Sequence, residues 1–222
     1  VTGLVGASVV TALRRKHPDY QIVAICRGNK AQTARQRVEL TIKEQCEFDK
    51  DPESYDAIMR NIEVIQGDVT AFPFEEVAKH APFDVMFHCA ADVNLANQDT
   101  DGRIRKTNMG GTMQAIEAIK RFNIPRLQYV STAYVAGRSV GRVMEDEQPA
   151  TAWINAYEQS KYDAELYVRE HAGVPFTIYR PSIIVGRLSD GVIRKPLAFY
   201  RILEFFGRLK SNRAFKLGVR PC

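Results

Sequence analysis

Five short apolar runs, spaced by longer stretches of helical periodicity, constrain this chain more than any other feature. The runs are Gln21–Cys26, Ile62–Gln66, Asp84–Cys89, Leu127–Ser131 and Phe176–Arg180. The helical stretches are Ala7–Lys16, Ala31–Gln45, Arg105–Phe122 and Tyr157–Glu170. In the third, Ala115, Ile116, Ile119 and Phe122 fall on one side, with Glu117, Lys120 and Arg121 on the other, as an amphipathic helix requires. Parallel strands need a crossover of a dozen or more residues, usually a helix, and this alternation supplies one. Most runs are apolar throughout, so burial on both faces is expected. Pro18 and Pro125 punctuate helix-to-strand connections. The predicted fold is α/β, with a doubly wound parallel sheet.

The 222 residues suffice for one α/β domain with a full core and are too few for two large ones. No apolar run reaches 18 residues, and the opening Val1–Gly6 lacks the charged and apolar regions of a secretory leader, so a cytoplasmic protein is expected. Cys26, Cys46, Cys89 and Cys222 form no CxxC pair and have no histidine at metal spacing. Reduced thiols and no metal are expected. Charge is uneven: Arg187–Cys222 carries nine Lys/Arg against Asp190 and Glu204, and the remainder is slightly acidic. No nucleic-acid module accompanies that basic stretch, so it reads as a solvated face or a docking surface for an acidic partner, not a nucleic-acid site.

Three local patterns suit a dinucleotide. Gly3 and Gly6 precede the first helix, where glycines permit a tight turn and let helix N–H groups approach a pyrophosphate. The spacing matches a T-G-x-x-G-x-x-G loop lacking three residues between Gly3 and Leu4. Because only Val1 and Thr2 come before Gly3, the first strand is expected to be cut short. At the end of the second strand, Ile25-Cys26-Arg27-Gly28 has an arginine where an acid would hold a ribose 2′-hydroxyl. Arg35 and Arg37 follow, and arginine suits a 2′-phosphate, which points to NADP(H). Gly67-Asp68-Val69 ends the next strand, where a carboxylate can meet an adenine amino group, though Asp after Gly is also a common turn.

The reactive constellation lies further on. Tyr157 and Lys161 stand four residues apart, on one face of a predicted helix. Twenty-five residues before Tyr157, Thr132 follows the strand Leu127–Ser131, at the edge where open α/β sheets bind ligands. Reducing a carbonyl takes a hydride and a proton. A tyrosine supplies the proton if its pKa falls from about 10, which a lysine ammonium on the same face promotes. A threonine hydroxyl adds a second hydrogen bond to the carbonyl oxygen.

Taken together these residues resemble the extended short-chain dehydrogenase/reductases, and within them the thioester-reductase and fatty-acyl-CoA-reductase branch. The resemblance runs from Val1 to about Leu209. It rests on His88-Cys89-Ala90-Ala91, Thr107-Asn108-Met109-Gly110-Gly111-Thr112, Ser131–Gly137, Asn155–Lys161 and Tyr179-Arg180-Pro181-Ser182. It implies a Rossmann-type NADP(H)-binding domain over 1–180 and the start of a small, incomplete substrate lobe over 181–222. Thr132, Tyr157 and Lys161 would be catalytic, with Lys161 also on the nicotinamide ribose. Gly3, Gly6, Arg27, Arg37, Asp68, Val69, Ala90, Ala91, Pro181 and Ser182 would hold the cofactor, and Asn108 would steady the helix beside the site. The implied reaction reduces an acyl thioester, on coenzyme A or a carrier-protein phosphopantetheine, to an aldehyde and in some members to an alcohol. An apolar helix over Pro196–Leu209 would wall an acyl channel or form the core of the small lobe. Arg194, Lys195, Arg201, Arg208 and Lys210 would suit coenzyme A phosphates or an acidic carrier. A nucleotide-sugar epimerase or dehydratase would share Thr132, Tyr157 and Lys161, but Arg27 argues against its preference for NAD. A non-catalytic NADP(H) sensor would ordinarily lose the tyrosine or the lysine.

Overall fold

The computed structural model describes residues 1–95, 98–146, 152–196, 200 and 203–207. Its chain divides into two units, Val1–Ser182 and Ile183–Cys222. In the first, α1 (Leu4–Lys16), β1 (Ile22–Cys26), α2 (Ala34–Phe48), α3 (Tyr55–Met59), β2 (Ile62–Gln66) and α4 (Phe74–Ala78) come in order. Then follow β3 (Met86–His88), α5 (Arg103–Arg105), a wide turn of π-helix over Lys106–Gly110, α6 (Gly111–Arg121), β4 (Leu127–Val130), α7 (Ala156–His171) and β5 (Phe176–Tyr179).

All strand pairing is parallel. β1 lies beside β2, with Ile22 opposite Ile62 and Cys26 opposite Gln66. β4 is flanked by β3 and β5, with Leu127 opposite both Met86 and Phe176. The ladders fall into two groups, β1-β2 and β3-β4-β5. Val1 packs on the apolar cluster around β1, while its backbone meets Gly6, whose other neighbour is the Cys89 thiol beyond β3.

Each ladder carries its own core. Ala24, Val38, Ile42, Cys46, Ile58 and Ile62 pack around the first. Ile116, Ile119, Leu127, Tyr129, Ala164 and Val168 pack around the second, and each buried isoleucine or leucine contributes about 1.5–3 kcal/mol. Burial on both faces fails at β5: Phe176 and Tyr179 are exposed, on a strand that pairs with β4 alone among the described residues.

Two helix boundaries differ from the predicted ones for visible reasons. α2 starts at Ala34 and not Ala31 because the Asn29 carboxamide captures the Ala31 and Gln32 amides at 2.9 and 2.7 Å. A reciprocal cap between Thr33 and Gln36 then begins the helix. The predicted helix Arg105–Phe122 is interrupted by the π-turn at Lys106–Gly110. Beyond it, Gly111 lies against Val69, and a Cβ there would stand 2.9 Å from both Val69 methyl groups. Two residues past the end of α6, Asn123 takes a left-handed conformation (φ 51°) before Ile124-Pro125.

The basic end of α1 is not wholly solvated. Arg14 is only 4% exposed, and its guanidinium donates to the Ile58, Ala57 and Tyr20 carbonyls at 3.2, 2.9 and 2.7 Å, and to those of His17 and Pro18. It ties α1 to α3 through backbone oxygens.

In the second unit, Arg187–Val192 forms a tight turn. Gly191 N–H donates to Arg187 O at 2.7 Å, and the Arg187 guanidinium pairs with Asp190 at 2.7 Å. Gly186 faces the Gly191 carbonyl so closely that a Cβ would sit 2.0 Å from its oxygen. Half of the predicted helix Pro196–Leu209, including Leu197, Phe199, Arg201 and Arg208, lies outside the described residues, as do Lys210 and Cys222. Leu203, Phe205 and Phe206 are exposed. No described helix is long and apolar enough to cross a membrane.

Candidate active site

The start of α7 is held by side chains. Asn155 Oδ1 accepts the Glu158 N–H at 2.9 Å, while Glu158 Oε2 reaches back to the Ile154 N–H at 2.9 Å. This cap sets Tyr157 in the first turn and Lys161 one turn later, both facing inward at 8% and 2% exposure. At the end of β4, Thr132 is extended (φ −155°, ψ 151°) and its Oγ1 accepts the Tyr134 N–H at 3.3 Å. Ser131 N–H donates to Tyr179 O at 2.7 Å and Ala133 N–H to Pro181 O at 2.9 Å, which locks the ends of β4 and β5 together. The Thr132 hydroxyl donates to Pro181 O at 3.5 Å and lies beside the Tyr157 phenol.

Lys161 points elsewhere. Its ammonium donates to the Tyr129 hydroxyl at 2.9 Å and to the Val130 carbonyl at 2.8 Å, and it lies 4.4 Å from the centre of the Tyr129 ring. Burial pulls Lys161 down to about 8, against the opposing pull of Glu165 and Cys89. Burial also raises Tyr157, and the neighbouring Thr132 hydroxyl offsets this only in part. The expectation that Lys161 lowers the Tyr157 pKa therefore fails for this state, since the ammonium is engaged at Tyr129 and desolvation of the phenolate dominates. A raised pKa keeps the phenol protonated, the form that a proton donor needs.

Two buried groups brace this helix. Glu165, with a side chain 0% exposed, pairs with Arg180 at 2.6 Å and Arg169 at 3.0 Å. Asn108, on the π-turn, donates to Ser160 Oγ at 2.8 Å and to Asp92 O at 3.0 Å, and accepts the Asp92 N–H at 2.7 Å. It joins α7 to the loop after β3.

The other sequence-derived residues also line strand ends. Arg27, beyond β1, pairs with Asp68, beyond β2, at 3.3 Å. Asp68 also accepts from the Thr70 backbone and hydroxyl; burial alone would raise its carboxyl, but these bonds and the Arg27 charge hold it below the usual range. Arg37 donates to the Arg27 carbonyl, which brings the two arginines together. Arg35 is turned to Glu39 at 2.8 Å and does not join them. Val69 packs on Gly111, Ala91 is half-buried beyond β3, Ala90 is exposed, and Pro181 and Ser182 follow β5. Next to Arg27 a cavity of about 460 Å³ is lined by Gly28, Asn29, Lys30, Ala31, Gln32, Thr33, Gln36 and Gln66. Sequence reasoning missed Lys30, Gln32, Gln36 and Gln66. The T-x-x-Q spacing at Thr33–Gln36 is a capping signature that would have marked the start of this helix and hence the loop before it.

These groups fit a nicotinamide dinucleotide by their donor chemistry. Gly3 caps the 13-residue α1 with no side-chain bond, and no acidic residue stands in its first turn, so its leading N–H groups suit an anion. The Arg27 side chain is 68% exposed, and a pair so exposed is worth about 1 kcal/mol or less, so a phosphate can replace Asp68 at little cost.

Comparison with known proteins agrees. The NAD-binding family described as "Male sterility protein" matches residues 1–216. The chain belongs to that family. The family is an NAD-binding one, and the solved neighbours share the chain's Rossmann-type fold. A thiolation-reductase di-domain from an archaeal non-ribosomal peptide synthetase superposes with TM-score 0.72 at 22% identity, covering 95% of this chain and 57% of that one. The terminal R domain of the myxalamid PKS-NRPS pathway gives 0.69 at 28% identity, covering 84% and 48%. Peramine synthetase of Metarhizium majus is 26% identical over 210 residues, 86% of this chain and 7% of that protein. The chain therefore spans about half of the reductase structures and a small part of the synthetase.

Proposed function

We propose that this member of the family reduces an acyl thioester, carried on the phosphopantetheine arm of a carrier protein, to an aldehyde with NADPH. The meeting of Thr132 and Tyr157 at the end of β4, with Lys161 one turn along α7, carries the chemistry. The likeness to the myxalamid terminal R domain supports the thioester. Arg27 with Arg37 supports NADPH over NADH.

Bound, the dinucleotide supplies a hydride to the carbonyl carbon. Thr132 and Tyr157, side by side at the end of β4, offer two hydroxyls to one carbonyl oxygen. As negative charge builds on that oxygen, Tyr157 gives up its proton and a hemithioacetal forms. The C–S bond then breaks, C=O re-forms, and the thiol leaves with the hydroxyl proton. The balance is thioester, NADPH and one proton in; aldehyde, thiol and NADP⁺ out. Lys161 supplies the positive charge that favours the phenolate left on Tyr157. The N-terminal amides of α1, with Arg27, Arg37, Asp68, Val69, Ala90, Ala91, Lys161, Pro181 and Ser182, would hold the dinucleotide. We place the reaction in the cytosol, with residues 1–180 as the cofactor domain and 181–222 as the start of the substrate lobe.

The test follows NADPH absorbance beside a thiol-trapping dye, with an acylated carrier protein and a long-chain acyl-CoA as separate substrates. Equal loss of NADPH and gain of thiol is expected, faster from the carrier. Turnover on acyl-CoA alone would move the substrate to the soluble thioester. NADPH loss on simple aldehydes without thiol release would mean a general reductase, and thiol release without NADPH loss would mean hydrolysis.

A further inference from the structure

Lys161 does not approach the sheet unguided. Beneath it runs a chain of buried groups whose proton directions are set by elimination. The Thr112 hydroxyl has one proton, and the Asn108 carbonyl takes it at 2.7 Å. The Tyr129 phenol lies beside this hydroxyl. An ammonium can only donate, so the Tyr129 oxygen accepts from Lys161 Nζ at 2.9 Å. His88 Nε2, 3.2 Å from Thr112 Oγ1, supplies a donor to the same Thr112 hydroxyl. Burial, with the Lys161 charge behind it, depresses His88 to about 3, so its ring stays neutral and adds no rival cation. Tyr129, Thr112 and Asn108 are all at most 1% exposed. The chain ends on the Asn108 carbonyl and a buried histidine, so it leads no proton to solvent and serves to hold an orientation.

We propose that Tyr129 is a positioning residue for Lys161: its phenol oxygen accepts a hydrogen bond from the ammonium and fixes it at the end of β4. The Val130 carbonyl supplies the second anchor. The proposal rests on the reductase reading only in making the Lys161 charge useful. Other ionisable groups around this ammonium are Tyr157 and Glu165 on α7, and His88 and Cys89 at the end of β3. Glu165 is bound to Arg180 and Arg169, and Arg105 of α5 is spent on Asp163 on the outer side of α7. Tyr129 is the side chain that gives Lys161 a hydrogen bond. Losing it favours the neutral amine, so the Lys161 pKa falls.

The experiment titrates the ε-carbon resonance of Lys161 in the complete protein labelled with ¹³C-lysine, assigned by its absence in Lys161→Arg. The wild-type midpoint is expected near 8. Tyr129→Phe should lower it by about one pH unit, a tenfold change in the protonation constant. Thr112→Val removes the hydroxyl beside the Tyr129 phenol and should shift it the same way by less, while Thr112→Ser should restore it. In turnover, the alkaline limb of the kcat profile should move to lower pH by the same amount in Tyr129→Phe. Thermal melts identify any variant that does not fold, and the remaining variant then decides. Midpoints for Tyr129→Phe and Thr112→Val within 0.2 unit of wild type would overturn the proposal. A shifted midpoint in a protein that turns over no thioester would leave it standing and remove the reductase reading instead.

Discussion

Glu165→Gln isolates the strongest buried electrostatic contact in the fold. The glutamate is one turn beyond Lys161, its side chain fully buried, with Arg180 at 2.6 Å and Arg169 at 3.0 Å. Arg180 also donates to Met144 O, and Arg169 to Glu145 O, so the cluster joins α7, β5 and the loop after Gly137. Glutamine keeps the shape and one acceptor oxygen but removes the charge that faces the largely buried Arg180. Breaking a buried pair on one side costs about 3–5 kcal/mol, and the retained oxygen argues for the lower end, about 3 kcal/mol. For a chain of this size that lowers Tm by about 6–12 °C. Arg180 precedes Pro181, whose carbonyl anchors Ala133 next to Thr132, so kcat should fall as well. Calorimetric or circular-dichroism melts at neutral pH measure the first effect. A loss below about 1 kcal/mol would show that solvent, not Glu165, screens Arg180 and would refute this account of the cluster.

Two further substitutions test the site directly. Tyr157→Phe should cut kcat at least tenfold, a barrier rise of about 1.4 kcal/mol or more, and leave NADPH affinity within a factor of two; more than a tenth of wild-type kcat would remove the proton-donor role. Arg27→Asp should weaken NADPH binding by about 1.5–3 kcal/mol, read as Kd by cofactor fluorescence. Equal Kd values for NADPH and NADH in the unaltered protein would discard the 2′-phosphate argument.

Much of this molecule was legible from residue order alone, because the forces concerned are local. Apolar runs of five or six residues announced β1 and β2 nearly to the residue. A four-residue spacing put Tyr157 and Lys161 on one face of α7, since helix geometry is independent of what surrounds it. The signature at Arg27 depended on a strand end and a charge, both readable in sequence. What required tertiary structure were the partners of long side chains, which neighbours distant in the chain decide. Arg14 stands among three consecutive basic residues, and carbonyls 43 and 44 residues away draw it inside. Lys161 was expected to attend to Tyr157 but meets Tyr129, 32 residues earlier, because the β4 backbone brings a hydroxyl and a carbonyl within its reach. The pKa of Tyr157 followed suit: sequence supplied a nearby cation, whereas burial, a property only of the folded chain, sets the direction of the shift. Periodicity encodes which face a residue occupies; what waits opposite that face is a matter of long-range packing, and the chemistry of this site depends on both.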